Sequence, residues 1–299
     1  MRIGFIGFGE VGSEFAKGFA KQGVVDQVAY DAMREHPVFG PTIAARARDT
    51  AVRLVASPAE LTAAADVLFL AVPCAVADAA VTPVLASLRA GTVLVDVTAS
   101  SGEAKKRRAV PVEACGVAFV DAALMGPVSI NGIRVPALVS GSGAPAFLKT
   151  FQPLGMSLEV VSERAGDASA VKMVRSVFTK GMSALFLETF LAARRANVEE
   201  LVFNSIVQSM EETPFAATIN RYLCGVAIHA GRRVAEMHEV IDTLQELGIE
   251  PITADATRRR LERVAEAGLR EHFKGVQPKR YGEMLEALDP TGAKTEKML

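Results

Sequence analysis

"RIGFIGFGEVGSEFAKGF", residues 2–19, decides the fold. A short apolar run ends in Gly7-Phe8-Gly9-Glu10-Val11-Gly12, and a helix-like segment over 10–22 follows. Strand, glycine loop and helix in that order form the context in which G-x-G-x-x-G binds a dinucleotide. Gly7 permits the tight turn, Gly9 lets backbone approach a pyrophosphate, and Gly12 allows close helix–strand packing. The helix start then offers unpaired N–H groups to phosphate. A glycine-rich turn can be purely structural, but Asp31 ends the next strand 19 residues beyond Gly12, where a carboxylate meets the ribose 2′-hydroxyl. The predicted cofactor contacts are Gly7, Phe8, Gly9, Glu10, Val11, Gly12 and Asp31. Val72 and Pro73, leaving the fourth strand, join them against the ribose. Asp31 favours NAD, because a carboxylate there repels a 2′-phosphate. Arg34, three residues on, is the phosphate partner if NADP is used instead.

The rest of the first half repeats this alternation. Apolar runs at 27–31, 52–56, 66–72, 92–97, 117–122 and 135–141 read as strands, several of them continuous as in a parallel sheet covered on both faces. Helix-like pieces at 58–64, 75–87 and 101–108 lie between them. The fold class is α/β, a Rossmann-type doubly wound sheet. From about residue 166 strand runs cease. Long helical stretches near 166–196, 198–210, 214–248, 253–267 and 279–288 predict an all-α domain. The boundary is set at residue 164, giving a dinucleotide-binding domain over 1–164 and a helical substrate and dimerisation domain over 165–299. Clefts between domains are where ligands usually sit.

Bulk properties exclude several classes. The 299 residues are 50% hydrophobic and 22% charged, with a formal net charge of −1, so the chain is globular and lacks the basic excess of a nucleic-acid or membrane-surface protein. Cys74, Cys115 and Cys224 form no C-x-x-C pair and the four histidines no cluster, so neither a disulfide framework nor a metal site is expected. The N-terminus runs straight into a strand without a signal-peptide layout, and the longest apolar stretch, near 67–77, is broken by Pro73. A cytoplasmic protein is expected.

"GDASAVKMVRSVFTKGMSALF", residues 166–186, carries the candidate chemistry. At about 100° per residue, Lys172, Arg175, Ser176, Thr179 and Ser183 share one narrow stripe, while valines, phenylalanine, methionine and leucine cover the rest. This predicts a mostly buried helix with a basic face. Hydride exchange at a carbinol carbon requires a proton to move on its oxygen, and a lysine can move it when desolvation or a nearby cation lowers its pKa. Lys172 is the candidate acid–base group; its bland alternative is a lysine snorkelling from a half-buried helix. Arg175 matches a substrate carboxylate bidentately, or else an interdomain acid. Ser176 donates to substrate, or bonds a carbonyl in the turn before it. Lys180 is expected to be an exposed lysine. In "TASSGEAKK" (98–106), Ser100 and Glu103 read as a capping box, leaving Thr98 and Ser101 to face a ligand. In "HAGRRVAEMHEV" (229–240), i,i+4 pairing on a solvated face is the default.

With these residues in view, the chain resembles the β-hydroxyacid dehydrogenase family, which includes 3-hydroxyisobutyrate, tartronate semialdehyde and phosphogluconate enzymes. The likeness runs the whole length and is strongest in "GFIGFGEVG". The family's substrate segment after the fifth strand resembles "DVTAS" (96–100), and its second substrate segment resembles "DAALMGPV" from Asp121. Its catalytic segment, glycine followed by Lys-x-x-Asn-Asn, maps onto Gly166 and "KMVRS". The resemblance implies Lys172 as catalytic, and Arg175, Ser176, Thr98, Ser100, Ser101, Met125 and Gly126 around the substrate. The departures are plain. Arg175 and Ser176 replace the asparagines, Met125 a serine and Pro127 a glycine. They place the chain in a branch whose C-terminal domain carries no assigned function. The implied activity is NAD(P)-dependent oxidation or reduction of a small anionic hydroxy acid or its semialdehyde, in a homodimer formed through the helical domain. An imine or ketimine reductase and a non-catalytic dinucleotide-binding scaffold are the alternatives.

Overall fold

A computed structural model describes residues 1–291. The first elements are β1 (Ile3–Ile6), α1 (Glu10–Lys21), β2 (Gln27–Tyr30), α2 (Gly40–Thr50), β3 (Arg53–Leu54), α3 (Pro58–Ala64) and β4 (Val67–Leu70). After a single 3₁₀ turn at Cys74–Val76 come α4 (Ala77–Leu85), β5 (Val93–Asp96), α5 (Gly102–Ala114), β6 (Ala118–Leu124), α6 (Val128–Asn131), β7 (Ala137–Ser140), α7 (Ala144–Phe151) and β8 (Leu158–Ser162). The remainder is helical: α8 (Asp167–Arg195), α9 (Glu199–Glu211), α10 (Phe215–Glu246), α11 (Ile252–Glu266), α12 (Leu269–His272) and α13 (Tyr281–Leu288).

The strands form one sheet in the order β3-β2-β1-β4-β5-β6-β7-β8, parallel throughout except that β7 runs antiparallel to β6. The order reverses between β1 and β4, so the loops after these two strands open on the crevice where doubly wound sheets bind ligands. Continuous apolar strands supply two cores. Phe5, Phe69, Val95 and Val120 point to one face with Phe15, Phe19, Phe147 and Phe151. Ile6, Leu68, Leu70 and Leu94 point to the other, against α3, α4 and α5. The rings on the first face interlock, Phe147 and Phe151 stacking at 4.5 Å and Phe19 meeting Phe69 at 5.5 Å.

Five elements were not expected from the sequence: α2, α7, β8 and the single-turn helices α6 and α12. α2 has little more than Ile43 and Ala47 to bury, and α7 is only eight residues long. β8 pairs only with β7 and is half exposed, so it is held by a distant partner rather than by its own pattern. The sheet therefore runs to Ser162, close to the expected end of the first domain.

The chain separates into two compact units, Met1–Val177 and Phe178–Leu299, with the division inside α8. In the second unit, Ala227, Ile228 and Ala230 of α10 pack with Val264, Leu269 and Met284, and Leu244 packs with Ala192 and Ala254. Arg232 pairs with Glu236 one turn along, at 3.5 Å. The expectation of a buried α8 needs correction: Val171, Val174, Val177 and Phe178 are exposed in the single chain. Among the described residues, no helix is long and apolar enough to cross a membrane.

Candidate active site

The glycine loop has the shape its sequence requires. Gly7 sits at φ +85°, and a Cβ there would strike Val72 and the Ala71 carbonyl. A Cβ on Gly12 would lie 3.1 Å from the Gly7 carbonyl, whereas one on Gly9 would meet nothing within 4 Å. Gly9 is the N-cap of α1, no side chain among the described residues caps that helix, and Gly9, Glu10 and Val11 line a cavity. This is a cradle for an anion, and a pyrophosphate fits it. Phe8 belongs to the loop through its backbone. Its ring is fully buried in the core, and its N–H is bonded to Asp31.

Asp31 is bound to that loop. Its Oδ2 accepts the Phe8 N–H at 2.8 Å and its Oδ1 accepts the Met33 N–H at 2.8 Å. Arg34 lies over the Tyr30 ring, 5.6 Å from its centroid, and pairs with Glu35.

In front of the loop is a cavity of about 420 Å³. Gly9, Glu10, Val11, Val72 and Pro73 line it on the cofactor side, with Thr98, Gly126 and Lys172 across from them. Val97, Leu124 and Val128 complete an apolar wall, and Cys74, next to Pro73, also lines the cavity. The other predicted substrate residues do not line this cavity. Met125 is half-buried just before Gly126, and Arg175 is exposed one turn beyond Lys172. Ser176 Oγ donates to the Lys172 carbonyl at 2.8 Å, the local bond foreseen as its alternative role. Lys180 is exposed.

The serines after β5 exchange roles relative to expectation. Ser101, not Ser100, caps α5, accepting the Ala104 N–H at 3.3 Å. Glu103 pairs with Lys106 at 2.7 Å instead of closing a capping box. Ser100 is buried and bonds Arg108 Nη2 at 2.8 Å and Thr98 Oγ1 at 2.8 Å. The physical reason lies behind Thr98, in a polar cluster that the sequence reading missed. Asp96, the last residue of β5, and Asp121, in the middle of β6, are in register and both fully buried. Two cations from α5 answer them. Lys105 Nζ reaches Asp96 Oδ1 at 2.7 Å and Asp121 Oδ1 at 3.4 Å. Arg108 bonds Asp96 Oδ2 through Nη1 and Asp78 through Nε at 2.5 Å. Burial pushes Asp96 toward its neutral form, but the Lys105 charge, hydrogen bonds from Lys105 and Thr98, and the Arg108 charge outweigh it and hold the carboxyl below the ordinary range. Removing one member of such a cluster strands a buried charge, at a cost of about 3–5 kcal/mol. The available signal was an aspartate in each of two apolar neighbouring strands, one at the end of β5 and one inside β6, with Lys105 and Arg108 at i,i+3 in a run that otherwise reads as solvated charge.

Comparison with known proteins agrees with this geometry. Residues 2–145 match the NAD binding domain of 6-phosphogluconate dehydrogenase, and residues 193–264 match a domain of unknown function, DUF1932. A conserved hypothetical protein from Sinorhizobium meliloti 1021 is 30% identical, the match covering 97% of this chain and 96% of that one at a TM-score of 0.60. A conserved protein of unknown function, described as structurally similar to 3-hydroxyacid dehydrogenases, is 34% identical over 90% of this chain and 98% of its own, at a TM-score of 0.59. An imine reductase from Myxococcus stipitatus in complex with NADP⁺ shares the fold at 17% identity, with 95% of this chain and 100% of that one covered and a TM-score of 0.72.

Proposed function

The chain belongs to the family in which the NAD binding domain of 6-phosphogluconate dehydrogenase is joined to DUF1932, with a hydroxyacid dehydrogenase-like NAD(P)-binding fold, and from that premise we propose an oxidoreductase of small anionic hydroxy acids. The reaction is hydride exchange between the nicotinamide cofactor and a hydroxy acid or its semialdehyde or keto form. The observation that carries this reading is that Lys172 lines the same cavity as Gly9 and the open start of α1.

The bound cofactor supplies or accepts the hydride. The residues of this chain do the rest. The α1 N-terminus and Gly9 hold the pyrophosphate, and Asp31 accepts a hydrogen bond from the adenosine ribose, favouring NAD over NADP. Val72 and Pro73 pack on the ribose, while Val97, Leu124 and Val128 keep water from the reacting carbon. Lys172 moves the proton at the substrate oxygen, taking it on oxidation and returning it on reduction. Thr98 and Gly126 form the substrate wall, and Arg175, exposed one turn beyond Lys172, supplies the anion contact where the family has the first of its two asparagines.

A second reading, imine or ketimine reduction, is favoured by one observation: Arg175 and Ser176 stand in place of those asparagines. The two readings separate in a cofactor-turnover screen over hydroxy acids, semialdehydes, imines and phosphorylated acids, with NAD(H) and NADP(H). Turnover of a hydroxy acid supports the first reading and turnover of imines alone the second. Cofactor binding with no turnover on any class leaves a non-catalytic scaffold.

We also propose that the protein is a homodimer through its helical domain, in a cytoplasmic setting that suits its three free thiols. α8 is apolar on most of its circumference, yet Val174, Val177, Leu187 and, on α9, Leu201 are each more than 60% exposed in the single chain. A large patch of exposed apolar side chains marks a surface that a partner covers. A second copy brings the same apolar helices to that surface, as an isologous interface requires. Sedimentation velocity tests this: a dimer is expected, and a monomer at micromolar concentration overturns it.

A further inference from the structure

Lys105 is the most deeply enclosed cation of the first unit, and the chemistry proposed above gives it no task. Its ammonium donates to the Asp96 carbonyl at 2.6 Å as well as to the Asp96 and Asp121 carboxylates. Each acid leads to a different wall of the cavity. Asp96 Oδ1 accepts the Thr98 N–H at 2.9 Å and the Thr98 hydroxyl at 2.6 Å, and Thr98 lines the cavity. Asp121 leads to α8. Its Oδ2 accepts the Ser169 N–H at 2.9 Å and its Oδ1 the Ser169 hydroxyl at 2.6 Å. Ser140, bonded to Asp121 at 3.2 Å, accepts the Ala168 N–H at 3.0 Å.

The first turn of a helix leaves N–H groups without intrahelical partners and favours an anion beside them. In α8 those groups are answered by Asp121 and Ser140, side chains of two strands rather than of the helix itself. Backbone packing holds the same turn. Gly166 is at φ +93°, and a Cβ on Gly102, at the start of α5, would lie 2.5 Å from the Gly166 carbonyl. Lys172 comes three residues after Ser169, so the roll of this turn sets the direction in which its side chain leaves the helix.

We infer that Lys105 is a positioning residue: by bridging Asp96 and Asp121 it fixes Thr98 and the first turn of α8 together, and so sets the place of Lys172 in the cavity. This rests on Lys172 being the acid–base group, but the placement itself is measured without substrate.

The test is ¹³C reductive methylation of the full-length protein, with the dimethyl-Lys172 signal assigned by its absence in Lys172→Arg. Lys105→Met keeps the length of the side chain and removes its charge. It should shift or split the Lys172 signal while the Lys180 signal stays in place. Ser169→Ala, a milder change on the same path, should shift the Lys172 signal less, and Ser169→Thr, which retains the hydroxyl, should restore it. Arg107→Ala, an exposed neighbour, is the control and should leave it unmoved. An unmoved Lys172 signal in folded Lys105→Met overturns the inference. If that variant does not fold, an unmoved signal in Ser169→Ala overturns it. On the substrate found by the screen, Lys105→Met should lose turnover by roughly 10²-fold, as misplacement of a reacting group does, with cofactor affinity changed far less. Normal turnover by Lys172→Ala would remove the catalytic reading and leave the placement result standing.

Discussion

Asp31 accepts the backbone N–H of Phe8 at 2.8 Å, so the acid that follows β2 is tied to the glycine loop. One carboxylate therefore serves two ends. It orders the glycine loop, and on the proposed reading it also meets the ribose where a 2′-phosphate would be repelled. Asp31→Ser should weaken NADH binding and narrow its advantage over NADPH, measured by isothermal titration. Tighter NADPH binding by the unmodified protein would shift the assignment to Arg34, which stands beside Tyr30.

Arg175 is exposed one turn beyond Lys172. If it clamps the substrate anion, Arg175→Ala should forfeit about 1.5–3 kcal/mol, which is roughly 10- to 100-fold in substrate affinity. Lys180→Ala should change it far less. Equal losses in the two variants would mean a general electrostatic effect rather than a clamp.

The helical unit has its own acid-sensitive joint. Glu188 of α8 accepts the N–H groups of Thr253 at 2.8 Å and Ala254 at 2.9 Å, capping α11 from outside. Burial raises its pKa, but the hydrogen bonds from Thr253, Ala254 and Ile252 outweigh this and leave it below the ordinary glutamate value. A depressed folded pKa gives stability that is present above the unfolded value, near 4.3, and is lost as pH falls through the folded one. Glu188→Ala should cost about 0.5–2 kcal/mol at neutral pH, the range for a lost cap. The difference from the unmodified protein, followed by chemical denaturation, should shrink below pH 4. A constant difference down to pH 3 would contradict the capping role.

Much of this was legible in the residues themselves. β1, the glycine loop and α1 follow from one stretch of eighteen residues, because each position there has a local task. The long helices of the second half follow from their periodicity. β8 was not legible, since "LEVVS" gains its strand from β7 about twenty residues earlier. The exchange between Ser100 and Ser101 was hidden for a similar reason. Either can cap by spacing, and only buried Arg108, reaching back from α5, takes Ser100 away. Lys105 was the largest omission. Beside Lys106 and Arg107 it reads as surface charge, and only the pairing of β5 with β6 brings two buried acids to it.

The most direct test is turnover by Lys172→Ala on the substrate that the screen identifies. Loss of an acid–base group lowers the rate by roughly 10²- to 10⁴-fold. Cofactor affinity should barely change, because the residues proposed to hold the cofactor, the glycine loop and Asp31, lie outside α8. The variant should also melt cooperatively with its helical content intact. A folded Lys172→Ala protein that turns over at the unmodified rate would contradict the assignment of Lys172 as the group that moves the proton.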